Sequence, residues 1–387
     1  MRIGINALPL SRVQAGAARV IRCVIEELRK IDSENCYYLY SDRDFELSWE
    51  GDRWRKRISA PLPLLPGTLW LQSVGRRMII SDQLDIFWAT ANILPLGLPS
   101  GMAKVVTIHD LIWPLFSKTA DPFTHCMFWL FFRRSIRQAD RVVTDSQSTA
   151  QDLVRVFAVP ESKIEVIHLG VSPAYEPQDP MAAGQRVASK YGVSRDYLLT
   201  VGTIGPHKNL ITLVEALRIL RERGKLSFQL LVAGANPRRS ARLLEAIQSS
   251  GLTGDHIRFL GFVPDEDLPL LYSGSSAYVF PSLYEGFGLP LVEALACGVP
   301  VIASNTSSIP EVAGDAALLV PPTQAGAFAD AIQRVRSDEG LRRAMIEKGF
   351  RRAACFRWDK AARQLLECIR NVVGRKRSER RLDENRH

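Results

Sequence analysis

The sequence predicts an α/β chain made of two doubly wound domains with parallel sheets. Three observations carry the prediction. Short apolar runs suited to buried parallel strands, Ala277–Phe280 among them, alternate with segments of helical period. The first run, residues 2–8, passes through a loop into an amphipathic helix, which is how a doubly wound domain opens. The 387 residues, 46% of them hydrophobic, suffice for two ordinary cores.

In the first half, strands are expected at residues 2–8, 36–41, 85–90, 104–109, 141–145 and 164–170. Gly16, in the stretch 14–19 that leads into a helix reaching about Lys30, stands where backbone could approach a ligand; the alternative is an ordinary strand-to-helix turn. The Gly-x-Gly-x-x-Gly pattern is absent, which argues against a nicotinamide enzyme. Asp42-Arg43-Asp44 has the form of a metal-bridging pair, a form that short charged loops often take by chance. Residues 54–78 lose periodicity, and Pro61, Pro63 and Pro66 with Leu64, Leu65, Leu69, Trp70 and Leu71 predict a long excursion, facing an acceptor or lipid, or packed on the domain. His109-Asp110 closes an apolar strand, so His109 either faces a crevice or packs as a structural histidine. The helix at 121–138 carries Phe123, Phe128, Trp129, Phe131 and Phe132 before Arg133, Arg134 and Arg137; it is either a membrane-facing surface or a core helix with a solvated basic end. Ser148 to Gln151 has capping-box spacing for a helix through about Phe157. Pro173, Pro177 and Pro180 mark a connection, giving a first domain of 1–180.

The second half repeats the pattern, with a domain expected at 190–355. A strand at 197–203 leads through Ile204-Gly-Pro-His-Lys-Asn209 into a helix ending about Leu220. Lys208 at that helix start either joins the emergent amides on a diphosphate or is a surface lysine. Strands follow at 228–234 and 257–262, and Asp265-Glu266-Asp267 reads as an acidic first turn. The stretch 280–304 then reads as strand, glycine-bearing loop, short helix, turn and strand. Gly286 and Gly288 loosen its loop, and Pro290 suits a helix start because it has no amide hydrogen to leave unpaired. Free amides at a helix start make an anion site, and Glu285 and Glu293 beside it fit a ligand that also offers hydroxyl groups, as a sugar nucleotide does. The alternative is a turn glycine pair with Glu293 capping its helix. Glu311 is expected to cap a following helix, the alternative being support of the acidic loop. A last helix is expected at 356–373, and the basic residues after Gly374 read as a flexible tail, 374–387.

The formal charge of +9 favours an anionic partner. With no aromatic-basic binding motif, nucleic acid is not expected. Six cysteines lie far apart without a Cys-x-x-Cys pair, so neither a disulfide framework nor a zinc site is expected and a reducing, cytoplasmic setting is. Residues 3–6 are too brief an apolar segment for a signal peptide, and nowhere do eighteen uncharged apolar residues run together.

The string Glu285-Gly-Phe-Gly-Leu-Pro-Leu-Val-Glu293 resembles the acidic motif of glycosyltransferase family 4, retaining enzymes that use nucleotide sugars and have the GT-B fold of two facing Rossmann-like domains. The resemblance implies a catalytic set of His109, Lys208 and Glu285. His109 approaches the transferred sugar, Lys208 holds the diphosphate, and Glu285 fixes sugar hydroxyls. Glu293 takes the ribose, and the backbone of Gly286, Phe287, Gly288 and Leu289 meets the phosphates. Gly261, Phe262 and Val263 touch the base, and Gly16 belongs to a donor-approaching loop, although Ala17 and Ala18 replace its further glycines. Thr203 and His207 stand where relatives carry more basic residues, and serines and threonine replace a glycine-rich turn at 305–308. The last helix is implied to cross back to the first domain. Residues 202–210 lean toward mannosyltransferases, which implies GDP-mannose as donor, no metal or other cofactor, and a lipid-linked saccharide acceptor in polysaccharide or lipopolysaccharide synthesis. Location on the inner face of the cell membrane, touching an anionic surface, follows, with no obligate protein partner. The rivals are a transferase using another GDP- or UDP-sugar, a nucleotide-sugar epimerase or sugar phosphorylase, and a non-enzymatic membrane-binding module.

Overall fold

The structure, a computed structural model, describes residues 1–12, 16–47, 49, 51–59, 67–112, 122–234 and 240–384, with backbone only at 122–128 and 383–384. The chain divides into two units, Met1–Leu169 with Trp358–His387, and Gly170–Arg357.

The first unit is built on seven parallel strands: β1 (Arg2–Asn6), β2 (Cys36–Ser41), β3 (Trp54–Ile58), β4 (Ile86–Ala89), β5 (Ala103–Ile108), β6 (Arg141–Thr144) and β7 (Ile164–Val166). Their order is β3-β2-β1-β4-β5-β6-β7, so the winding reverses between β1 and β4. Strands β4 and β5 are buried along their whole length, as a sheet covered on both faces requires. The helix Gly16–Ile31 buries Ile21, Ile25 and Leu28, and it packs against the helix Trp358–Glu384, which buries Leu365, Ile369 and Val372.

The second unit has six parallel strands: β8 (Tyr197–Val201), β9 (Gln229–Ala233), β10 (Ile257–Gly261), β11 (Ala277–Phe280), β12 (Val301–Ser304) and β13 (Ala317–Val320). Their order, β10-β9-β8-β11-β12-β13, is that of a dinucleotide-type Rossmann sheet and reverses between β8 and β11. Leu213 and Leu217 of the helix Leu210–Glu222 and Phe328 and Ile332 of the helix Ala325–Ser337 share one buried cluster with Leu198, Val279 and Ile302 of the sheet.

Four expectations need correction. The proline-marked stretch is free of helix and strand only as far as Asp179, which caps a helix, Pro180–Tyr191, that buries Ala183, Gly184 and Val187 and packs on the helix Leu268–Ser273, so Pro180 opens a helix of the second unit. The break between units falls at 169/170. The segment after Gly374 is helical to Glu384, because Lys376 reaches Asp140 at 2.7 Å and Arg377 reaches Asp85 at 2.8 Å within the first unit. Residues 54–58 form edge strand β3, and 67–81 are helical with Trp70 fully buried; residues 61–66 of the expected excursion lie outside the described residues. The cap of the helix Gln147–Phe157 is Ser146, whose hydroxyl accepts from the Thr149 amide.

Candidate active site

Ligands of open parallel sheets bind outside the carboxyl ends of the strands where the winding reverses. In the second unit that place is bounded by the loops leaving β8 and β11, and there Lys208 Nζ donates to Glu285 Oε1 at 2.7 Å. Both side chains are largely withdrawn from solvent, 15% and 9% exposed. The Ser282 hydroxyl donates to the same carboxylate oxygen at 2.6 Å, and the lysine ammonium sits 5.3 Å over the Phe280 ring. Lys208 lies in a short 3₁₀ turn, Pro206–Lys208, just before the helix Leu210–Glu222.

The two loops are strapped together. The Leu283 amide donates to the His207 carbonyl at 2.6 Å, and the Asn209 side-chain amide donates to the Pro281 and Pro322 carbonyls. Asn209 itself has φ of 55°, a left-handed conformation that asparagine tolerates. Burial, with the Lys208 ammonium beside it, pushes the His207 imidazole below its ordinary value, so His207 adds no positive charge to the loop at neutral pH.

Gly288 precedes the helix Leu289–Ala296 with φ of 98°, and a side chain there would be strained and would press within 3.4 Å of Phe280. Glu293 projects from this helix, 2% exposed, and accepts from the Tyr272 hydroxyl at 3.1 Å. Phe287 is buried in the loop, edge-on to Phe356. Two serines hold the loop from outside. Ser307 Oγ accepts from the Glu285 amide, and the buried Ser308 hydroxyl donates to the carbonyls of Glu285 and Phe287, each at 3.0 Å. The loops after β8, β9 and β10 meet through glycine: the Gly202 oxygen lies 3.2 Å from where a Cβ on Gly234 would stand, and the Gly234 amide donates to the Gly261 carbonyl. Beyond Gly261, Phe262 is 67% exposed while Val263 is buried, so Phe262 is not a core residue.

In the first unit His109 follows β5. Its Nδ1 lies 2.7 Å from Asp145 Oδ2, at the end of β6, and its Nε2 lies 2.8 Å from the Thr90 carbonyl, after β4. Asp110 accepts from the Ile112 amide at 2.9 Å. Gly16 opens its helix exposed, with open space where a side chain would stand. Asp42 is paired to Arg12 and Asp44 to Lys56, and Asp267 is held by Lys190 and Tyr191. Among the described residues no cluster of three or more metal-ligating side chains occurs.

Family models match both units: "Glycosyltransferase Family 4" over residues 15–175 and "Glycosyl transferases group 1" over residues 185–352. The chain belongs to glycosyltransferase family 4. One relative is O-antigen chain mannosyltransferase B of Escherichia coli, 34% identical over 237 residues, which are 61% of this chain and 62% of that protein. The match thus spans less than two thirds of the relative's length. Among solved structures, the sucrose-phosphate synthase of Thermosynechococcus elongatus superposes with a TM-score of 0.76 at 23% identity, covering 96% of this chain and 99% of the other. Anabaena HepE, solved with UDP and glucose, gives a TM-score of 0.71 at 17% identity over 95% and 98% of the two chains. These two likenesses speak for the fold alone, the GT-B fold of two Rossmann-like units.

In this family 4 chain the second unit brings Lys208 and Glu285 together and sets Gly286 to Leu289 and Glu293 on the loop and helix next to them. His109 and Gly16 belong to the first unit. Among the residues that touch the site residues, Ser282, Ser307, Ser308, Tyr272 and Asp145 were given no such contact from the sequence, where Ser307 and Ser308 stood only as replacements in a turn. Of these only Asp145 carried a signal, since it ends one strand as His109 ends another.

Proposed function

We propose that the chain is a retaining glycosyltransferase that moves mannose from GDP-mannose to a lipid-linked saccharide in surface polysaccharide synthesis. The observation that carries the reading is the meeting of Lys208 and Glu285 beyond the point where the second sheet reverses, next to the helix start at Gly288. The second unit is the donor domain and the first the acceptor domain. A diphosphate takes the place of the Glu285 carboxylate at the Lys208 ammonium, and the freed carboxylate accepts from sugar hydroxyls. Lys208 and the amides of the 286–289 loop then offset the negative charge that the leaving diphosphate gathers, which lowers the barrier and not merely the binding energy. Glu293 accepts from the ribose, and Phe262 with Gly261 and Val263 receives the base. His109 serves the transferred sugar. The acceptor oxygen attacks the face the diphosphate leaves, its proton passing to the departing phosphate oxygen, so the anomeric configuration is retained without a protein nucleophile.

The choice of mannose is supported by the Escherichia coli relative, and the HepE structure with UDP and glucose makes UDP-glucose the donor to compare. Peripheral attachment to the inner membrane face is supported by the exposed Leu130, Arg133, Arg134 and Arg137 on one helix; among the described residues no helix is long and apolar enough to cross a membrane. The burial of Trp70 and Leu71 removes two apolar residues from that surface. The test is a panel of GDP- and UDP-sugars with purified protein, first for donor hydrolysis and then for product on lipid-linked acceptors. Turnover fastest with GDP-mannose supports the reading, and no turnover of any donor defeats it.

A further inference from the structure

Both ring nitrogens of His109 are bound to groups that accept hydrogen bonds. The Thr90 carbonyl oxygen, 2.8 Å from Nε2, can only accept, so Nε2 carries a hydrogen. At Nδ1 the neighbour, 2.7 Å away, is the buried carboxyl of Asp145. A carboxyl ordinarily gives up its proton at much lower pH than an imidazolium, so the shared proton resides on Nδ1 as well. A ring with hydrogens on both nitrogens is an imidazolium. Its lone pairs are spent, and it has none with which to accept a proton from an acceptor hydroxyl.

We propose that Asp145 is a positioning residue that holds His109 as a fixed imidazolium, making His109 a standing positive charge of the reacting site and excluding it as a proton acceptor. The functional half of this rests on the reading above, in which His109 serves the reaction; the ion pair itself does not. Among the described residues, the charged groups that act on the ring, Asp145 and Asp110, favour the cation. Asp145 comes from the end of β6 and Asp110 from the same loop as His109, while Thr90, from the loop after β4, offers only its carbonyl. The cavity beneath, walled by uncharged side chains such as Val24, Trp88, Val143 and Leu365, supplies no opposing charge. Burial alone would lower the imidazole's value, but the Asp145 charge and hydrogen bond, with Asp110 and Thr90 adding, outweigh it and raise it to about 9. Stability from this pair is therefore whole below about pH 6.5, the ordinary histidine value, and is lost as pH rises through about 9.

The test uses the full chain in three forms, wild type, Asp145→Asn and His109→Gln, the last to identify the His109 signals. Nitrogen NMR of histidine-labelled protein at about pH 7.5 is expected to show both His109 nitrogens protonated in the wild type and one bare nitrogen in Asp145→Asn. A ring that loses the Asp145 charge keeps its burial and so returns to about 6.5 or below; at 6.5 it is about 3% charged at pH 8, against about 90% for one near 9. The donor kcat/KM of Asp145→Asn relative to wild type should therefore fall about thirty-fold at pH 8 and recover at about pH 5.5. A bare nitrogen in the wild-type ring at about pH 7.5 overturns the proposal, as does a deficit in Asp145→Asn that does not change with pH. If Asp145→Asn fails to fold, the wild-type spectrum decides. If no form turns over any donor, the functional reading fails while the spectrum still tests the pair.

Discussion

Replacing Lys208 with alanine removes the ammonium that Glu285 holds at 2.7 Å, and two separable losses follow. In catalysis, a leaving diphosphate deprived of one strong, preorganised donor should be expelled about 10²- to 10³-fold more slowly, equivalent to about 3–4 kcal/mol in the barrier. In folding, the Glu285 carboxylate, 9% exposed, is left without its cation. Breaking a fully buried pair costs about 3–5 kcal/mol; here Ser282 still donates to the carboxylate and Lys208 is itself 15% exposed, so about 1–2 kcal/mol is expected. A domain of ordinary stability survives that loss. The double variant Lys208→Ala/Glu285→Gln should regain most of the stability, because no unpaired charge remains, and none of the turnover. Thermal unfolding and initial rates with the preferred donor separate the two effects. A folded Lys208→Ala protein whose turnover stays within about threefold of wild type would refute the assignment of Lys208 to the diphosphate.

Glu293→Gln keeps an oxygen for the Tyr272 hydroxyl but loses the anionic acceptor, so calorimetry should find GDP bound about 10- to 100-fold more weakly; unchanged affinity contradicts a ribose role. For the membrane surface, the full chain should sediment with anionic but not neutral liposomes at low salt and be released at high salt, and Arg133→Gln, Arg134→Gln and Arg137→Gln together should abolish the difference. Equal, negligible recovery with both liposome types removes the membrane assignment and leaves the donor site untouched.

The strands that build both sheets were legible because most are apolar along their length: Ala277–Phe280 and Cys36–Ser41 lie where their residues predict. Strand β3, Trp-Arg-Lys-Arg-Ile, was not, since an edge strand with exposed side chains has no apolar run to show. The helix beyond Gly374 was hidden for the opposite reason. Its charged residues look like a solvated tail until Asp85 and Asp140, almost three hundred and more than two hundred positions away in sequence, are seen to receive them. At the candidate site, a helix start and its carboxylates can be read from spacing, because both depend on a few neighbouring residues. The contacts from Ser282, Ser307 and Ser308 to the acidic loop, and from Asp145 to His109, cannot be read that way. They arise where separate strands end side by side, and serine spacing along the chain does not announce which carbonyl a hydroxyl will reach.

In the proposed complex the donor's diphosphate sits on the loops leaving β8 and β11. Hydrogen exchange of the full chain, followed by mass spectrometry with and without saturating GDP, tests it at the level of individual segments. Slowed exchange is expected at residues 203–210 and 281–293, with a smaller effect at 261–263, and little change at the amino-terminal ends of the same strands. Protection by GDP that spares both 203–210 and 281–293 while falling elsewhere in the chain would contradict it.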